Sequence, residues 1–309
     1  MLISIVIVNW NSKDYLRSCL QSLEAHASDI ETEIIVVDGA SFDGCGEMLE
    51  AEFPQVRFIQ SKENIGFGRC NNLGVESANG EYLLLLNPDT EIKSNAIQAL
   101  LEACKSLPQN SMLGARLLNS DGTLQTTSVH AAPTPLNQAL GSDFLMKRFP
   151  KSKLWGTYEA YHSDTPTEVE AISGACMFLP TKLFRELGGF NPIYFMYAED
   201  MDLCLKIRRS GFPIYHIPNS EITHHGGSSS NQQAVNFSAI NIRKALYRYF
   251  LHNFGHSVAD RYRTMTCFSA IVRIPMALFA INKASRSLQK WYALYNWSTT
   301  QPKHSNCLI

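Results

Sequence analysis

The sequence of 309 residues lacks several features that mark special classes of protein. Its eight cysteines form no Cys-x-x-Cys pair and no tight cluster with histidine, so neither a disulfide framework nor a zinc site is indicated. The apolar start of the chain lacks the basic region and the cleavage site of a signal peptide. These absences favour a globular protein of a reducing cytoplasm. The length allows one α/β domain with an appendage.

Acidic residues are nearly missing from the C-terminal part of the chain. Residues 241–309 contain ten lysines and arginines but a single acid, Asp260, which gives a net charge of +9. Residues 1–240 carry 17 basic and 27 acidic side chains, a net charge of −10. Such asymmetry predicts that the basic part meets an anionic surface, either nucleic acid or a membrane.

Strand and helix patterns alternate over the first hundred residues. Apolar runs of strand length lie at 2–8, 33–38, 56–59 and 81–87. Apolar residues recur at helical spacing after Ser12 and at 43–51, 67–77 and 94–105. Strands that are apolar throughout and alternate with helices predict an α/β fold, in which helices cover both faces of a parallel sheet.

Polar residues follow three of these strands directly. They are Asn9, Asp38 and the Asn87–Asp89 turn. In open parallel sheets, ligands bind beyond the carboxyl ends of the strands. We therefore expect these polar side chains to face one crevice.

The pattern is less regular after the fourth strand and its helix. Residues 112–118 have the pattern of another strand, whereas 120–168 are rich in Pro, Ser, Thr and aromatic residues and show no period. That irregular segment is predicted to be a substrate-facing loop. Helices ended by glycine are expected from Thr181 and Glu199, and a short strand is expected at 221–223.

A glycine-bearing turn runs into a helix at residues 64–74. Backbone N–H groups and the helix dipole of such a turn can receive a phosphate, with Gly66 and Arg69 as candidates. The spacing departs from Gly-x-Gly-x-x-Gly because Asn71 takes the third position. A plain helix start with a flexible turn explains the segment equally well.

Carboxylates are concentrated at two further points. Asp89 follows an apolar strand and a proline, a placement that suits a divalent cation bound to phosphates, although isolated aspartates there more often form turns. Glu199, Asp200 and Asp202 begin a predicted helix directly after the aromatic run 194–197. Acids favour a helix N-terminus in any case, but apolar neighbours can raise the pKa of a carboxyl towards that of a useful base.

Two adjacent histidines, His224 and His225, follow the last predicted strand and precede a Gly-Ser loop. Either one could complete a metal shell. A plain surface position is the alternative for the pair.

The order and spacing of these motifs resemble the family 2 glycosyltransferases of GT-A fold, and within them the bacterial rhamnosyltransferase-like branch that builds cell-surface polysaccharides. The resemblance covers about residues 3–230. Its motifs are Ser4–Asn11, Val36–Asp38 with Ser41 and Asp43–Gly44, Asn64–Asn72, Asn87–Thr90, Ser173–Ala175, Gly189–Asn191, Glu199–Leu203 and His224–Ser228. It implies a Rossmann-like domain with a mostly parallel sheet.

The resemblance also implies a role for each group of residues. Asp38 would hydrogen-bond the pyrimidine base of a nucleotide sugar. Asp89, helped by His224, would bind the Mg²⁺ or Mn²⁺ that bridges the diphosphate, and Asp200 would be the general base. Glu199 and Asp202 would lie on the acceptor side. The other predicted nucleotide-sugar contacts are Val8, Asn9, Asn64, Gly66, Arg69, Asn71 and Asn87.

Two positions depart from the family pattern. Gly39 stands where the family usually has Asn after the base-reading Asp, and Asn87 replaces the first carboxylate of the usual Asp-x-Asp. Fewer charged ligands imply that metal binding is weak without the nucleotide, or that His224 matters more.

The basic tail, residues 238–309, interleaves basic and aromatic residues as a nucleic-acid-binding segment would. However, residues 265–281 are too apolar for a solvated RNA face, and Arg273 and Pro275 make them a poor spanning helix. A helix lying in a membrane interface fits better. An amphipathic helix packed on the catalytic domain or in a homodimer fits as well.

The resulting prediction is a glycosyltransferase domain at 1–237, divided into a nucleotide-binding half (1–110) and an acceptor half (111–237), followed by the tail. The enzyme would act with inversion and a metal ion on the inner face of a bacterial cytoplasmic membrane. It would move L-rhamnose from dTDP-L-rhamnose to a polysaccharide or lipid-linked acceptor, without binding nucleic acid.

Three alternatives stay open. A UDP-hexose is the alternative donor. A nucleotidyltransferase would show a Gly-rich basic loop after the first strand, where residues 9–12 offer none. A non-catalytic sugar-nucleotide sensor would have no use for Asp200.

Overall fold

The structure, a computed structural model, describes residues 2–226, 235–278 and 284–300. Gly227 and Ser228 of the last family motif, Lys283 and residues 301–309 lie outside the described residues. The chain divides into two compact units. The sheet unit comprises Met1–Ala132, Lys151–Phe195 and Glu199–Ser229, and the helical unit comprises Pro133–Pro150, Met196–Ala198 and Ser230–Ile309.

Eleven strands and twelve helices are formed by the described residues. The strands are β1 (Ile3–Asn9), β2 (Thr32–Asp38), β3 (Arg57–Gln60), β4 (Tyr82–Leu86), β5 (Thr90–Ile92), β6 (Met112–Leu118), β7 (Val129–His130), β8 (Thr167–Glu168), β9 (Ala171–Ile172), β10 (Cys176–Pro180) and β11 (Ile214–His224). The helices are α1 (Lys13–His26), α2 (Cys45–Glu52), α3 (Phe67–Glu76), α4 (Ala96–Ser106), α5 (Pro135–Leu140), α6 (Asp143–Arg148), α7 (Tyr158–His162), α8 (Thr181–Glu186), α9 (Glu199–Arg209), α10 (Val235–Phe254), α11 (His256–Leu278) and α12 (Ala284–Thr300).

A nine-stranded mixed sheet forms the centre of the sheet unit. Its order is β3-β2-β1-β4-β10-β6-β11-β5, with β8 paired to β11. The first four strands are parallel, as the alternating pattern predicts. β10 instead runs antiparallel to both β4 and β6, and β5 runs antiparallel to β11. A short apolar run such as β10 carries no sign of its direction, so the sequence alone could not indicate this reversal.

Both faces of the sheet are buried, which explains why its strands are apolar throughout. Ile3, Ile5 and Ile7 of β1 pack in one hydrophobic cluster, whereas the alternate residues Val6 and Val8 pack in the other. Side chains of a strand point alternately to opposite faces, so each face of β1 needs its own apolar set. The prediction of helices on both faces is confirmed.

Two predictions about the second half of the chain need correction. Residues 120–168 are not a continuous loop but contain short elements, β7, α5, α6, α7 and β8, that are too brief to show a period. The predicted strand at 221–223 is part of the eleven-residue β11. The register shifts between Ile217 and Glu221, where Pro218 interrupts the pattern and a bulge keeps the strand in the sheet.

The helical unit has an aromatic core, which confirms the helical character of the C-terminal part. α11 packs against α10 and α12. The rings of Phe250 and Tyr262 lie 4.9 Å apart, and Tyr249 and Trp297 are buried beside them. None of the helices that the structure describes combines enough length with enough apolar character to cross a membrane.

Candidate active site

The carboxyl ends of β1 and β2 bring Asn9 and Asp38 together. These residues are partners in the parallel register, and the Asn9 Nδ2 donates to the Asp38 Oδ1 at 2.8 Å. The Asp38 carboxylate also accepts from the Ser41 hydroxyl, from the Ser41 N–H at 3.0 Å and from the Gln60 Nε2 at 2.7 Å. Burial raises the pKa of Asp38, but the hydrogen bonds from Ser41, Gln60 and Asn9 outweigh it and lower that pKa. The carboxylate is therefore ionised and buried.

Ligand atoms of Asp38, Asp43 and Cys45 lie within 4.8 Å of one another, close enough for a metal ion. The Asp43 carboxylate, however, accepts the backbone N–H groups of Lys13 and Cys45 at 2.9 and 3.1 Å. Burial and the two carboxylates raise the pKa of the Cys45 thiol, which keeps it protonated. Both carboxylates of this group thus already accept hydrogen bonds from within the protein, and its thiol would have to lose a proton to bind a metal.

A second cluster joins the β4 end to the end of β11. The His224 Nε2 lies 3.3 Å from the Asp89 Oδ1 and 3.3 Å from the Asn87 Nδ2. The Asn87 Oδ1 is buried and has no hydrogen-bond partner among the described residues. The Asp89 carboxylate and the His224 imidazole are in contact, and the unpartnered amide oxygen of Asn87 belongs to the residue beside them. Oxygen and nitrogen donors of these kinds suit Mg²⁺ or Mn²⁺. The residues present therefore fit such an ion.

Gln125 sets the tautomer of His224. Its Oε1 lies 2.7 Å from the His224 Nδ1, and its Nε2 donates to the His224 carbonyl at 3.1 Å. Because an amide oxygen only accepts, the proton of a neutral His224 ring sits on Nδ1, and its Nε2 then accepts from the Asn87 Nδ2. This tautomer is the one that a metal ligand requires.

His225 points to a different set of partners. Its Nε2 lies 3.0 Å from Glu91, its Nδ1 lies 2.8 Å from the Ser120 hydroxyl, and its ring lies 5.4 Å from that of Tyr15. The structure thus separates the two adjacent histidines, because successive residues at a strand end face opposite ways. Of the two imidazole rings, only that of His224 adjoins the Asp89 carboxylate, although the His225 backbone N–H donates to the Asp89 carbonyl.

Asp200 stands at the start of α9 and is connected to the β4 end. Its Oδ2 accepts from the Gly174 N–H at 3.2 Å, and the next carbonyl, that of Ala175, accepts from the Asn87 N–H at 3.0 Å. The Asp200 side chain is half-buried. Two backbone hydrogen bonds, at Gly174 and at Ala175, therefore link the partly accessible Asp200 carboxylate to the Asn87–Asp89–His224 cluster.

The two other acids of α9 are buried. The Asp202 carboxylate accepts from the Tyr194 hydroxyl at 3.1 Å and lies 3.6 Å from the Lys206 Nζ. Burial, and then the negative charge of Asp200, raise the pKa of Glu199 to about 8. Glu199 is thus protonated at neutral pH, and its Oε2 has no partner among the described residues. The predicted acceptor-side roles of both acids stay predictions.

The backbone before α9 is strained. Tyr197 and Ala198 have φ values of 70° and 67°, a left-handed conformation that costs a non-glycine residue of order 1–3 kcal/mol. Two consecutive residues of this kind directly precede the acids of α9. Such strain is typical of sites where a side chain must be held in one direction.

The polar groups of the glycine turn at 64–74 form hydrogen bonds within the protein. The Asn64 Oδ1 accepts from the Gly66 N–H at 3.1 Å, the Arg69 guanidinium donates to the Pro192 carbonyl at 2.8 and 3.0 Å, and the buried Asn71 Nδ2 donates to the Phe67 carbonyl at 3.1 Å. Val8 packs in the core. The nucleotide-sugar contacts predicted for these residues stay predictions.

Gly66 has a structural reason to be glycine. Its φ is +87°, and a Cβ at this position would lie 2.2 Å from the Phe195 carbonyl oxygen. The Phe67 N–H donates to that same oxygen at 3.0 Å. The turn therefore supports the segment that leads to α9.

Sequence reasoning missed two residues of this region, Gln125 and His130. Both lie in the irregular segment, where no period or motif singles them out. Burial lowers the pKa of His130, and the negative charge of Asp200 opposes that shift, so the two side chains are neighbours. No signal in a single sequence would have identified either residue.

The raised pKa of Glu199 predicts a pH-dependent stability. The group is protonated in both states below its unfolded pKa of about 4.5, but between there and about 8 the unfolded chain binds fewer protons. The free energy of unfolding should therefore fall as the pH rises through this window. Glu199→Gln should remove that fall, which amounts to about 1.4 kcal/mol for every tenfold difference in acidity between the folded and unfolded states. Urea unfolding between pH 4.5 and 9 would measure it; parallel pH profiles for the two proteins would contradict the assignment.

The sequence matches two family models. Residues 4–187 match "Glycosyl transferase family 2", and residues 149–302 match "Glycosyl transferase family group 2". An N-acetylglucosaminyl-diphospho-decaprenol L-rhamnosyltransferase of Mycobacterium tuberculosis is 26% identical over 77% of this chain and 80% of its own length. The rhamnosyltransferase WbbL of Escherichia coli K12 is 27% identical over 72% of this chain and 83% of its own length.

Solved glycosyltransferase structures share the fold. The Pyrobaculum calidifontis mannosyltransferase PcManGT, solved with GDP-Man and Mn²⁺, has a TM-score of 0.57 at 14% identity, over 96% of this chain and 85% of its own. Residues 1–349 of TarS from S. aureus have a TM-score of 0.53 at 15% identity, over 97% of this chain and 92% of theirs. This likeness confirms the GT-A fold. Because the first family model covers more than half of the residues, the chain belongs to glycosyl transferase family 2 and is a rhamnosyltransferase-like glycosyltransferase, as its motifs imply.

Proposed function

We propose that the protein transfers L-rhamnose from dTDP-L-rhamnose, with inversion, to a cell-surface polysaccharide or lipid-linked saccharide. Its rhamnosyltransferase relatives support this donor, and the connection from Asp200 to the Asn87–Asp89–His224 cluster carries the mechanism. A diphosphate held at the cluster places the sugar between the leaving oxygen and Asp200. Both ends of one displacement reaction then lie in reach of one substrate.

The nucleoside end of the donor is assigned to the β1 and β2 ends. Asp38 is ionised and accepts only, so it suits the N–H of a pyrimidine ring. The exposed Gln60 side chain now donates to the Asp38 Oδ2 at 2.7 Å. When the nucleotide binds, the N–H of its pyrimidine ring replaces the Gln60 side chain as hydrogen-bond donor, so the Asp38 carboxylate is not left unpaired.

The diphosphate end is assigned to Asp89, Asn87 and His224, which would hold Mg²⁺ or Mn²⁺. When bound, the ion neutralises the charge that develops on the departing diphosphate. Gln125, through its contact with Nδ1, orients the His224 ring so that Nε2 faces this cluster. Asn87 contributes an uncharged oxygen where the family usually has a carboxylate.

Asp200 is assigned to the acceptor. Its carboxylate takes the proton of the acceptor hydroxyl while that oxygen forms a bond to the anomeric carbon. The bond from this carbon to the diphosphate oxygen breaks on the opposite side, and the pair of electrons leaves with the diphosphate. The anomeric configuration is therefore inverted.

The membrane-facing role is assigned to the basic tail. A lipid-linked acceptor lies at an anionic surface, which attracts a segment with a net charge of +9. We place the enzyme on the inner face of the bacterial cytoplasmic membrane, without nucleic acid as a partner. A homodimer through the tail is the competing use of that segment.

A donor panel tests the proposed activity. The protein is incubated with dTDP-L-rhamnose, UDP-glucose, UDP-N-acetylglucosamine and GDP-mannose, and the release of nucleoside diphosphate is followed. We expect dTDP-L-rhamnose to be hydrolysed at least about tenfold faster than the others, in line with the pocket discrimination that enzymes reach. Preference for a UDP-hexose would make that class the donor instead, and no turnover of any donor would favour a sensor.

Asp200→Asn keeps the shape of the side chain but removes the base. Transfer should fall by about two to four orders of magnitude, while the affinity for the donor changes little. Asp14→Asn is the matched control, because that exposed carboxylate pairs with Arg17 on α1 and should leave turnover unchanged. Near wild-type transfer by Asp200→Asn would remove this residue from the mechanism.

The two adjacent histidines provide a test of the metal site. Calorimetry should find weak Mn²⁺ binding to the protein alone and tighter binding with thymidine diphosphate, and Asp89→Ala should lose that coupling. His224→Ala should weaken the nucleotide-dependent binding of Mn²⁺ strongly, whereas His225→Ala should leave it nearly unchanged.

Gln125→Leu should weaken the same Mn²⁺ binding about 10- to 100-fold, as for other residues that orient a ligand. Full transfer activity in EDTA would defeat the assignment.

A further inference from the structure

The segment Pro133–Pro150, which precedes the tail by a hundred residues, belongs to the helical unit. The Arg273 guanidinium donates to the carbonyls of Ala139 and Leu140 at 3.1 and 3.0 Å, and the Ser269 hydroxyl donates to Ala139 at 2.8 Å. These contacts satisfy carbonyl groups that the C-terminus of α5 leaves without helical partners. α5 is therefore fixed to one face of α11.

The helical unit is strongly basic as a whole. Its residues include twelve lysines and arginines and only two acids, Asp143 and Asp260, a net charge of +10. Asp260 lies 3.5 Å from the Arg263 guanidinium, so part of its charge is neutralised locally. The segment Pro133–Pro150 adds Lys147 and Arg148, both exposed, to the basic residues of the tail.

Large apolar side chains are exposed beside these charges. On α11, Phe268 and Met276 are 68% and 64% exposed, and Ile271 and Val272 lie on the same face, three to four residues apart along the helix. On and after α6, Phe144 is 74% and Phe149 53% exposed. A water-soluble surface rarely concentrates so many apolar groups without a binding role.

A contact between α11 and the end of α5 links the two apolar groups. Arg273 lies between the exposed residues Val272 and Met276 of α11, and its guanidinium donates to the Leu140 carbonyl at 3.0 Å. Phe144 follows Leu140 by four residues, so it lies at most about 14 Å from it. We name the six exposed side chains of these two groups the apolar patch: Phe144, Phe149, Phe268, Ile271, Val272 and Met276.

We propose that the helical unit docks on an anionic bilayer through the apolar patch, which enters the headgroup region while the surrounding basic residues meet lipid phosphates. An aliphatic face of Ile271, Val272 and Met276 offers a nucleic acid neither stacking nor hydrogen bonds. A second copy docked through its own helical unit would bring another charge of +10 to the same place. Basic residues around exposed aromatic and aliphatic groups are typical of helices that lie in a membrane interface. The proposal rests on the proposed function in one respect only: a lipid-linked acceptor gives the enzyme a reason to bind a membrane.

Vesicle co-sedimentation of the full-length protein tests the patch. We expect binding to phosphatidylcholine vesicles with 25% phosphatidylglycerol and at least tenfold weaker binding to phosphatidylcholine alone. The double variants F144S/F149S and F268S/M276S should each lower the partition coefficient at least tenfold. Phe42→Ser, which changes a side chain of matched exposure (70%) in the sheet unit, should leave it unchanged.

Salt separates the apolar contribution from the charge. Lys147→Gln with Arg148→Gln should weaken binding at low salt and have little effect at high salt, because added ions screen the charges. The serine variants should weaken binding at both. Serine variants that bind as the wild type does would overturn the proposal, as would absence of vesicle binding or a dimer that the serine variants dissociate. Hydrolysis of the soluble donor by these variants is expected to match the wild type, so a failed patch is distinguishable from a failed glycosyltransferase assignment.

Discussion

The direction of β10 is the constraint on which the candidate site depends. Because β10 runs antiparallel to β4, its first residue, Cys176, pairs with the last residue of β4, Leu86. The turn before β10 is thereby placed at the carboxyl end of β4, where the Ala175 carbonyl accepts the Asn87 N–H and the Gly174 N–H reaches Asp200. A parallel β10 would begin at the opposite edge of the sheet. One reversed strand therefore connects the predicted metal ligands to the proposed base.

The parts of this arrangement that the sequence predicted are those with a strong local pattern. The buried strands β1, β2 and β4 are recognisable because they are apolar on both faces. The polar residue at the end of each strand marks the edge of the sheet where ligands bind. The direction of β10, the choice between His224 and His225, and the contribution of Gln125 depend on contacts between residues far apart in the chain. Such contacts leave no period in a single sequence.

Charge provides a physical reason for the metal. The sheet unit carries 26 of the 28 acidic side chains of the chain, yet the proposed donor brings an anionic diphosphate to it. The Arg69 guanidinium, one of the predicted donor contacts, is engaged with the Pro192 carbonyl. A divalent ion beside Asp89 and His224 would supply the positive charge that the diphosphate requires. The basic residues of the helical unit are proposed to serve a different task, contact with an anionic surface.

A crystal structure with Mn²⁺ and thymidine diphosphate tests the central claim most directly, because the described residues contain two groups with metal-ligating atoms. We expect the ion beside the Asp89 carboxylate, in contact with the Asn87 Oδ1 or the His224 Nε2, with the diphosphate on its open side. An ion held by Asp38, Asp43 and Cys45, with Asp89 and His224 unchanged, would contradict it.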